Sequence, residues 1–220
     1  MNSFDHFTSA PTHSSSLFLS FEGIEGSGKS TQIELVEQYF KDKNYQVLKL
    51  REPGGTSFGE KLREAILHSE TPLSSLAEAH LFAASRAQLL KEKILPALAQ
   101  ENTIVIVDRY IDSSMAYQGV ARGLGSEVIA EIHRHSPLNY MPQMTFYLYI
   151  DLETSHQRQQ ARGNTKDYFE KENHSFYQHL IEGYDHCASV FPTRIKKIDA
   201  TQSVEQVNQA ILKELPHPWN

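Results

Sequence analysis

Gly23-Ile24-Glu25-Gly26-Ser27-Gly28-Lys29-Ser30 carries the spacing G-x-x-x-x-G-K-[ST]. The residues on either side decide what that spacing means. Leu17-Phe18-Leu19-Ser20-Phe21 precedes it as a short apolar run that reads as a buried strand. Residues 31–41 follow, with Ile33, Leu35, Val36 and Phe40 at helical spacing. A glycine-rich turn between a strand and a helix is the setting in which this motif cradles phosphate. The glycines let successive N–H groups point inward around an anion, and the helix N-terminus adds its positive dipole end. In such a loop Lys29 reaches the β- and γ-phosphates, and Ser30 holds Mg²⁺.

Strands and helices alternate outward from this loop. Apolar runs predict strands over 45–50, 103–108, 144–150 and 194–198, and periodic segments predict helices over 58–68, 76–98, 126–135, 153–161, 168–190 and 204–215. That order implies an α/β fold: a parallel five-stranded sheet flanked by helices on both faces, the P-loop nucleoside triphosphate hydrolase arrangement. Ligands gather at the carboxyl ends of such strands, where Arg51 and Asp108 also fall.

The 220 residues suit one domain, expected over 17–220, with a small mobile lid at about 158–170. A net charge of −6 argues against nucleic acid and acidic membranes as partners, while leaving room for a local basic pocket. With a single cysteine, Cys187, the chain forms no intramolecular disulfide, and a cytoplasmic setting is expected. No run reaches the length of a membrane-spanning helix. Residues 1–16 are polar and Ser-rich, lack the basic start and apolar stretch of a leader, and are expected to form a disordered tail. The 11 histidines form no metal-binding pattern.

Two further stretches narrow the chemistry. Arg51-Glu52-Pro53-Gly54-Gly55-Thr56 follows the second strand, and its Pro and two glycines force a tight turn that lets backbone approach a ligand. Asp108-Arg109-Tyr110 ends the third strand, so an acid and a guanidinium lie beside the expected metal position. Together with Phe82-Ala83-Ala84-Ser85-Arg86, and with Ser113 and Ala116-Tyr117-Gln118-Gly119, these stretches resemble the thymidylate kinase family from about Leu17 to the C-terminus. The segment Phe21 through Thr31 is similar to that family's phosphate loop.

The resemblance implies transfer of a phosphoryl group from ATP to dTMP with Mg²⁺, in a homodimer. It assigns Gly23, Ile24, Glu25, Gly26, Ser27, Gly28, Lys29, Ser30 and Thr31 to ATP, with Ser30 and Asp108 at the metal. On the acceptor side it implies Arg51, Glu52, Pro53 and Arg109 around the phosphate, with Ser113 in the acceptor loop. Phe82 would stack on the base, Arg86 would reach a base carbonyl, and Ser114 and Gln118 would face the base edge. Tyr117 would pack where a 2′-hydroxyl would project, and Glu25 near the 3′-hydroxyl.

In-line transfer between polyanions needs a cation at the migrating group. The variable positions of the loop hold no arginine, so Arg158 and Arg162, spaced i, i+4 before Gly163-Asn164, are the expected source, as in the bacterial form of the family. Lys29, Arg109, Arg158 and Arg162 are therefore the expected catalytic cations. Three positions depart from the family: Tyr168 where it usually has arginine, Gln143 where it usually has aspartate, and Tyr149 at a usually acidic position. A kinase for another small acceptor such as dUMP or dCMP remains the alternative enzyme, and a nucleotide-dependent switch the alternative binding protein. The chain has no Asn-Lys-x-Asp guanine-reading motif.

Overall fold

The computed structural model describes residues 3–162 and 174–219, except for the side chain of Arg162. The expected five-stranded sheet is present and wholly parallel, in the order β3 (Gln46–Arg51), β4 (Thr103–Asp108), β2 (Leu17–Glu22), β6 (Met144–Tyr149), β7 (Ile195–Asp199). Strand β2 is central and buried along its whole length, and β4 is buried up to its final acid. Edge strand β3 has no fully buried residue, and Gln46, Lys49 and Arg51 along it are exposed. The register pairs Phe21 with Asp108 and Arg51 with Asp108, so three strand ends open at one level.

Helices α1 (Lys29–Asp42), α2 (Ser57–Leu67), α3 (Ser75–Leu89), α6 (Ser126–Ile132), α7 (Leu152–Arg162), α8 (His174–Val190) and α9 (Val204–Glu214) flank the sheet. Helix α3 runs on through a π turn, Leu90–Ile94, into α4 (Leu95–Leu98). That turn falls just before Pro96, which lacks the N–H an unbroken α-helix needs there. Segment 111–121 is helical: α5 (Ile111–Ser114) passes into a second π turn, Met115–Ala121. The π geometry spoils the 3.6-residue spacing, so no helical signal appears in the sequence there. Of the expected helix over 168–190, residues 168–173 lie outside the described residues, as does the expected lid from 163 onward.

The N-terminal segment corrects the expectation of a disordered tail. Thr8–Ser9 (β1) pair in parallel with Tyr140–Met141 (β5), Phe4 and Phe7 pack edge-on against Phe191, and Ala10 is buried. Ser16 then bridges Gln100 and Thr103 at the foot of β4. Two phenylalanines and an alanine, diluted among polar residues, supply enough apolar area to dock the arm.

Two departures from the family pattern have local causes. Gln143 Oε1 accepts the Phe18 N–H at 2.7 Å, fixing the start of β2. Lys197 sits over the Tyr149 ring at 4.1 Å, a cation–π contact where an acid could have made an ion pair.

Candidate active site

The phosphate loop ends at a helix whose N-terminus the protein leaves open. Thr56, Ser74 and Ser203 cap α2, α3 and α9 with their side chains, whereas α1 begins at Gly28, φ 88°, with no side-chain cap. Its first N–H groups are therefore available to an anion. Lys29 is buried, and its Nζ donates to the Gly23 carbonyl at 3.0 Å and to that of Ile24 at 3.3 Å. Burial, then the nearby Arg109 charge, pull the Lys29 ammonium down to about 8.

The charge of a bound polyanion opposes both effects and raises that value, so nucleotide binding takes up a proton wherever free Lys29 is neutral. The uptake from this group is about a tenth of a proton at pH 7 and about half at pH 8; at pH 9 it approaches one proton, and affinity falls by up to about tenfold per pH unit above that. Calorimetry in buffers of different ionisation heat at pH 7 and pH 9 measures the uptake. The Lys29→Arg variant, charged throughout, should abolish it.

A cavity of about 200 Å³ runs from this loop to the acceptor side. Its walls include Glu25, Gly26, Gly28, Lys29 and Ser30 from the loop, and Arg51, Glu52 and Pro53 from the end of β3 onward. Phe82 from α3, Asp108 and Arg109 from the end of β4 onward, and Ser113, Tyr117 and Gln118 from the second π-containing helix complete that part. Arg63 and Leu67 of α2 and Tyr177 of α8 also line it, which sequence reasoning missed. Nothing in the spacing of α2 or α8 distinguishes those three from other helical residues.

Arg109 stands where the two halves meet. Its φ is 68°, a left-handed conformation unusual for a residue with a side chain, and its N–H donates to the Phe21 carbonyl at 3.0 Å. Its guanidinium donates to Tyr184 at 3.0 Å and to Ser113 at 3.3 Å, and lies 5.2 Å from the Tyr117 ring centroid. Behind those hydroxyls is Glu22, which accepts from Ser113 at 2.6 Å, from Tyr184 at 3.3 Å and from the Tyr110 N–H at 2.7 Å. Burial and the neighbouring Asp112 push the Glu22 carboxyl up to about 8. Glu22 and Tyr184 were also missed, since a strand-end acid and a helix tyrosine 162 residues apart carry no joint signal.

Arg51 donates to the Pro53 carbonyl at 3.1 Å and pairs with Glu60 at 2.8 Å, at the cavity rim. Arg86 and Ser114 are not at the cavity wall. Arg86 is fully buried, with Nε on Glu52 at 2.8 Å, one terminal nitrogen on His133 Nε2 at 2.7 Å and the other on Ser114 at 3.1 Å. Burial and Arg86 lower His133 to about 3, so the ring is neutral: Nδ1–H faces the Ile129 carbonyl and Nε2 accepts. Glu52, which does line the cavity, is thus anchored from behind.

Gly23, Ile24, Ser27 and Thr31 belong to the loop and its helix without lining the cavity. Arg158 reaches the loop's outer wall, donating to the Gly26 carbonyl at 3.2 Å and to the Ala200 carbonyl at 2.9 Å. The side chain of Arg162, Tyr168 and the rest of the expected lid lie outside the described residues.

The donor set suits Mg²⁺. Asp108 Oδ1 is buried without a hydrogen-bond partner, on the same cavity as Ser30. A carboxylate oxygen and a hydroxyl beside a phosphate cradle are ligands this hard cation takes, the remainder coming from phosphate and water. Among the described residues no group of three His, Cys, Asp or Glu could enclose a metal.

Comparison with known proteins agrees with this geometry. The thymidylate kinase family model matches residues 21–211. A thymidylate kinase of Caldanaerobacter subterraneus subsp. tengcongensis is 44% identical over 196 residues, covering 89% of this chain and 93% of that protein. One of Kosmotoga olearia is 39% identical over 198 residues, covering 90% and 94%. The crystal structure of thymidylate kinase from Ehrlichia chaffeensis superposes with a TM-score of 0.70 at 32% identity, covering 90% of this chain and 97% of that one.

Proposed function

The chain belongs to the thymidylate kinase family and carries out the ATP-dependent phosphorylation of dTMP to dTDP; we propose that it does so by direct in-line transfer across the cavity described above. The observation that carries this reading is that one cavity joins the uncapped phosphate loop to Arg51, Phe82, Arg109, Tyr117 and Gln118. No protein nucleophile is required; positioning and charge neutralisation suffice.

In this reading the loop 23–31 and Lys29 hold the ATP phosphates. Ser30 and Asp108 hold Mg²⁺, which when bound neutralises phosphate charge and orients the donor. Glu25, beside both, faces the sugar hydroxyl. Arg51 and Arg109 grip the acceptor phosphate, with Glu52, Pro53 and Ser113 shaping its seat. Phe82 stacks on the base at about 1–3 kcal/mol per stacked ring. Arg86, itself held by Ser114, anchors Glu52 in the acceptor-phosphate seat. Tyr117 excludes a 2′-hydroxyl by contact, and Gln118 meets the base edge. Arg158 and Arg162 bring the lid's positive charge to the migrating phosphoryl group. The remaining features of the reading are a single kinase domain over 17–220, a cytoplasmic setting and a homodimer. No described helix is long and apolar enough to cross a membrane.

The test is ADP release from Mg-ATP with dTMP, its ribonucleotide counterpart, dUMP, dCMP, AMP or no acceptor. Turnover should be strongest with dTMP and weak with the ribonucleotide. A preference for another acceptor would discard the thymine reading of Phe82 and Gln118, and ATP hydrolysis indifferent to acceptor would discard in-line transfer.

A further inference from the structure

We propose that Glu22 is a positioning residue for phosphoryl transfer. It fixes the Arg109 guanidinium relative to the phosphate loop, and so sets where the acceptor phosphate stands against the donor. This inference rests on the cavity being the site of transfer to dTMP.

Glu22 is the last residue of β2 and is fully buried. It holds Arg109 from two directions. Along the backbone, the Phe21 carbonyl accepts the Arg109 N–H at 3.0 Å and Glu22 Oε1 accepts the Tyr110 N–H at 2.7 Å. The N–H groups on either side of the left-handed Arg109 Cα are thus tied to the end of β2. Along the side chain, one terminal nitrogen of Arg109 donates to Tyr184 at 3.0 Å and to Ser113 at 3.3 Å. A guanidinium carries only donors, so each hydroxyl must turn a lone pair to it and send its single proton elsewhere. Ser113 donates to Glu22 Oε2 at 2.6 Å; Tyr184 has Oε2 at 3.3 Å and Ser113 Oγ at 2.9 Å within its reach. Oε2 fills this part in either protonation state, since a neutral carboxyl keeps one oxygen as a pure acceptor. Tyr147 stacks on the Tyr184 ring at 5.1 Å and keeps that hydroxyl in place.

The residue after Glu22 is Gly23, where the phosphate loop begins, and its carbonyl accepts from Lys29. One strand end therefore holds the donor-side ammonium and the acceptor-side guanidinium, and both line the same cavity. In-line transfer depends on that spacing, because a misplacement of about 1 Å costs up to about a hundredfold in rate. Glutamine at 22 keeps the shape and fails at one contact. With its NH₂ toward Tyr110, donor meets donor; turned over, it leaves the hydroxyl protons without their acceptor.

The experiment is a double-mutant cycle: kcat and KM for dTMP and ATP in the parent, Glu22→Gln, Arg109→Ala and the double variant. Glu22→Gln should lower kcat by roughly tenfold to a hundredfold, with KM for ATP within about twofold of the parent. In the Arg109→Ala background the same substitution should change kcat by less than about twofold, because no guanidinium remains to be placed. A loss of similar size in both backgrounds would mean that Glu22 serves the fold or the phosphate loop alone. An unchanged kcat in Glu22→Gln would mean that Arg109 needs no such support. Either result overturns the proposal.

An unchanged kcat in Arg109→Ala would instead remove Arg109 from the transfer, and the reading of the cavity would fall together with this inference. Should Glu22→Gln not fold, Tyr184→Phe takes its place in the cycle, removing one hydroxyl while keeping the ring against Tyr147. Its loss of kcat should likewise vanish in the Arg109→Ala background, and a loss that persists there overturns the proposal.

Discussion

Replacing Arg109 by lysine should lower kcat for dTMP by about a thousandfold, the range in which arginines at a migrating phosphoryl group act. The charge is kept, so the loss measures geometry. The backbone at Arg109 is held left-handed, at a cost of roughly 1–2 kcal/mol for a residue with a side chain. That turn sends the guanidinium back over the cavity from the end of β4. Once there, Ser113 and Tyr184 take one of its terminal nitrogens and the Tyr117 ring covers its face. The remaining donors form a planar fork suited to two phosphate oxygens at once. An ammonium is a point charge that cannot bridge hydroxyls and phosphate together. Steady-state kinetics with a melting curve on the same sample checks this: kcat should fall steeply, and KM for dTMP should rise by a smaller factor. An intact kcat with a raised KM would assign Arg109 to ground-state binding alone.

The same variant bears on the surrounding titrations. Arg109 depresses the Lys29 ammonium and holds down the Glu22 carboxyl. A less fixed cation at 109 weakens both effects, so the proton uptake of Lys29 should shift to higher pH. The two groups move together because one buried guanidinium faces both.

How much of this was legible beforehand follows from the range of each interaction. The phosphate loop, the strand ends at Arg51 and Asp108 and the five-stranded parallel order are written in local patterns, and the structure reproduces them. Strands β2 and β4 read clearly because burial on both faces leaves nearly unbroken apolar runs. The helix over 111–121 did not, because its π turn defeats the spacing by which helices are recognised. The docked N-terminal arm was hidden because its partners, Phe191 and Tyr140–Met141, are distant in sequence.

Arg86 is the instructive case within the site. It was expected to reach a base carbonyl, yet Glu52, Ser114 and neutral His133 occupy its three nitrogens. Nothing in the sequence signals that His133, 47 residues away, completes that set. Glu22 is similar: motif reading passes over it as the residue before a glycine, while in three dimensions it organises the hydroxyls that hold Arg109.

Gly23→Ala is expected to cost about 3 kcal/mol or more of stability, lowering the melting temperature by roughly 6–12 °C, and to weaken nucleotide binding at least about a hundredfold. Gly23 has φ 138°, and a Cβ there would lie 2.5 Å from the Leu148 carbonyl oxygen and 2.9 Å from Ser27 Oγ. The first of these is backbone of the neighbouring strand β6, which cannot swing aside. Relief must come from displacing the loop, and the Gly23 carbonyl is the one that holds Lys29 Nζ at 3.0 Å. Strain at Gly23 is thereby passed to the cation that meets the phosphates. Gly28 provides the contrast. It too has a positive φ, 88°, but an added Cβ meets nothing within 4 Å. Gly28→Ala should therefore cost only the roughly 1–2 kcal/mol of its backbone conformation. Because Gly28 lines the cavity, its new methyl group stands where phosphate approaches the N–H groups of α1. The two variants should separate fold from function: Gly23→Ala loses both, and Gly28→Ala loses nucleotide with the smaller loss of stability. Thermal melts with and without ATP measure both quantities. Equal destabilisation in the two variants would show that backbone conformation, rather than the close approach of β6, sets the demand for glycine at 23.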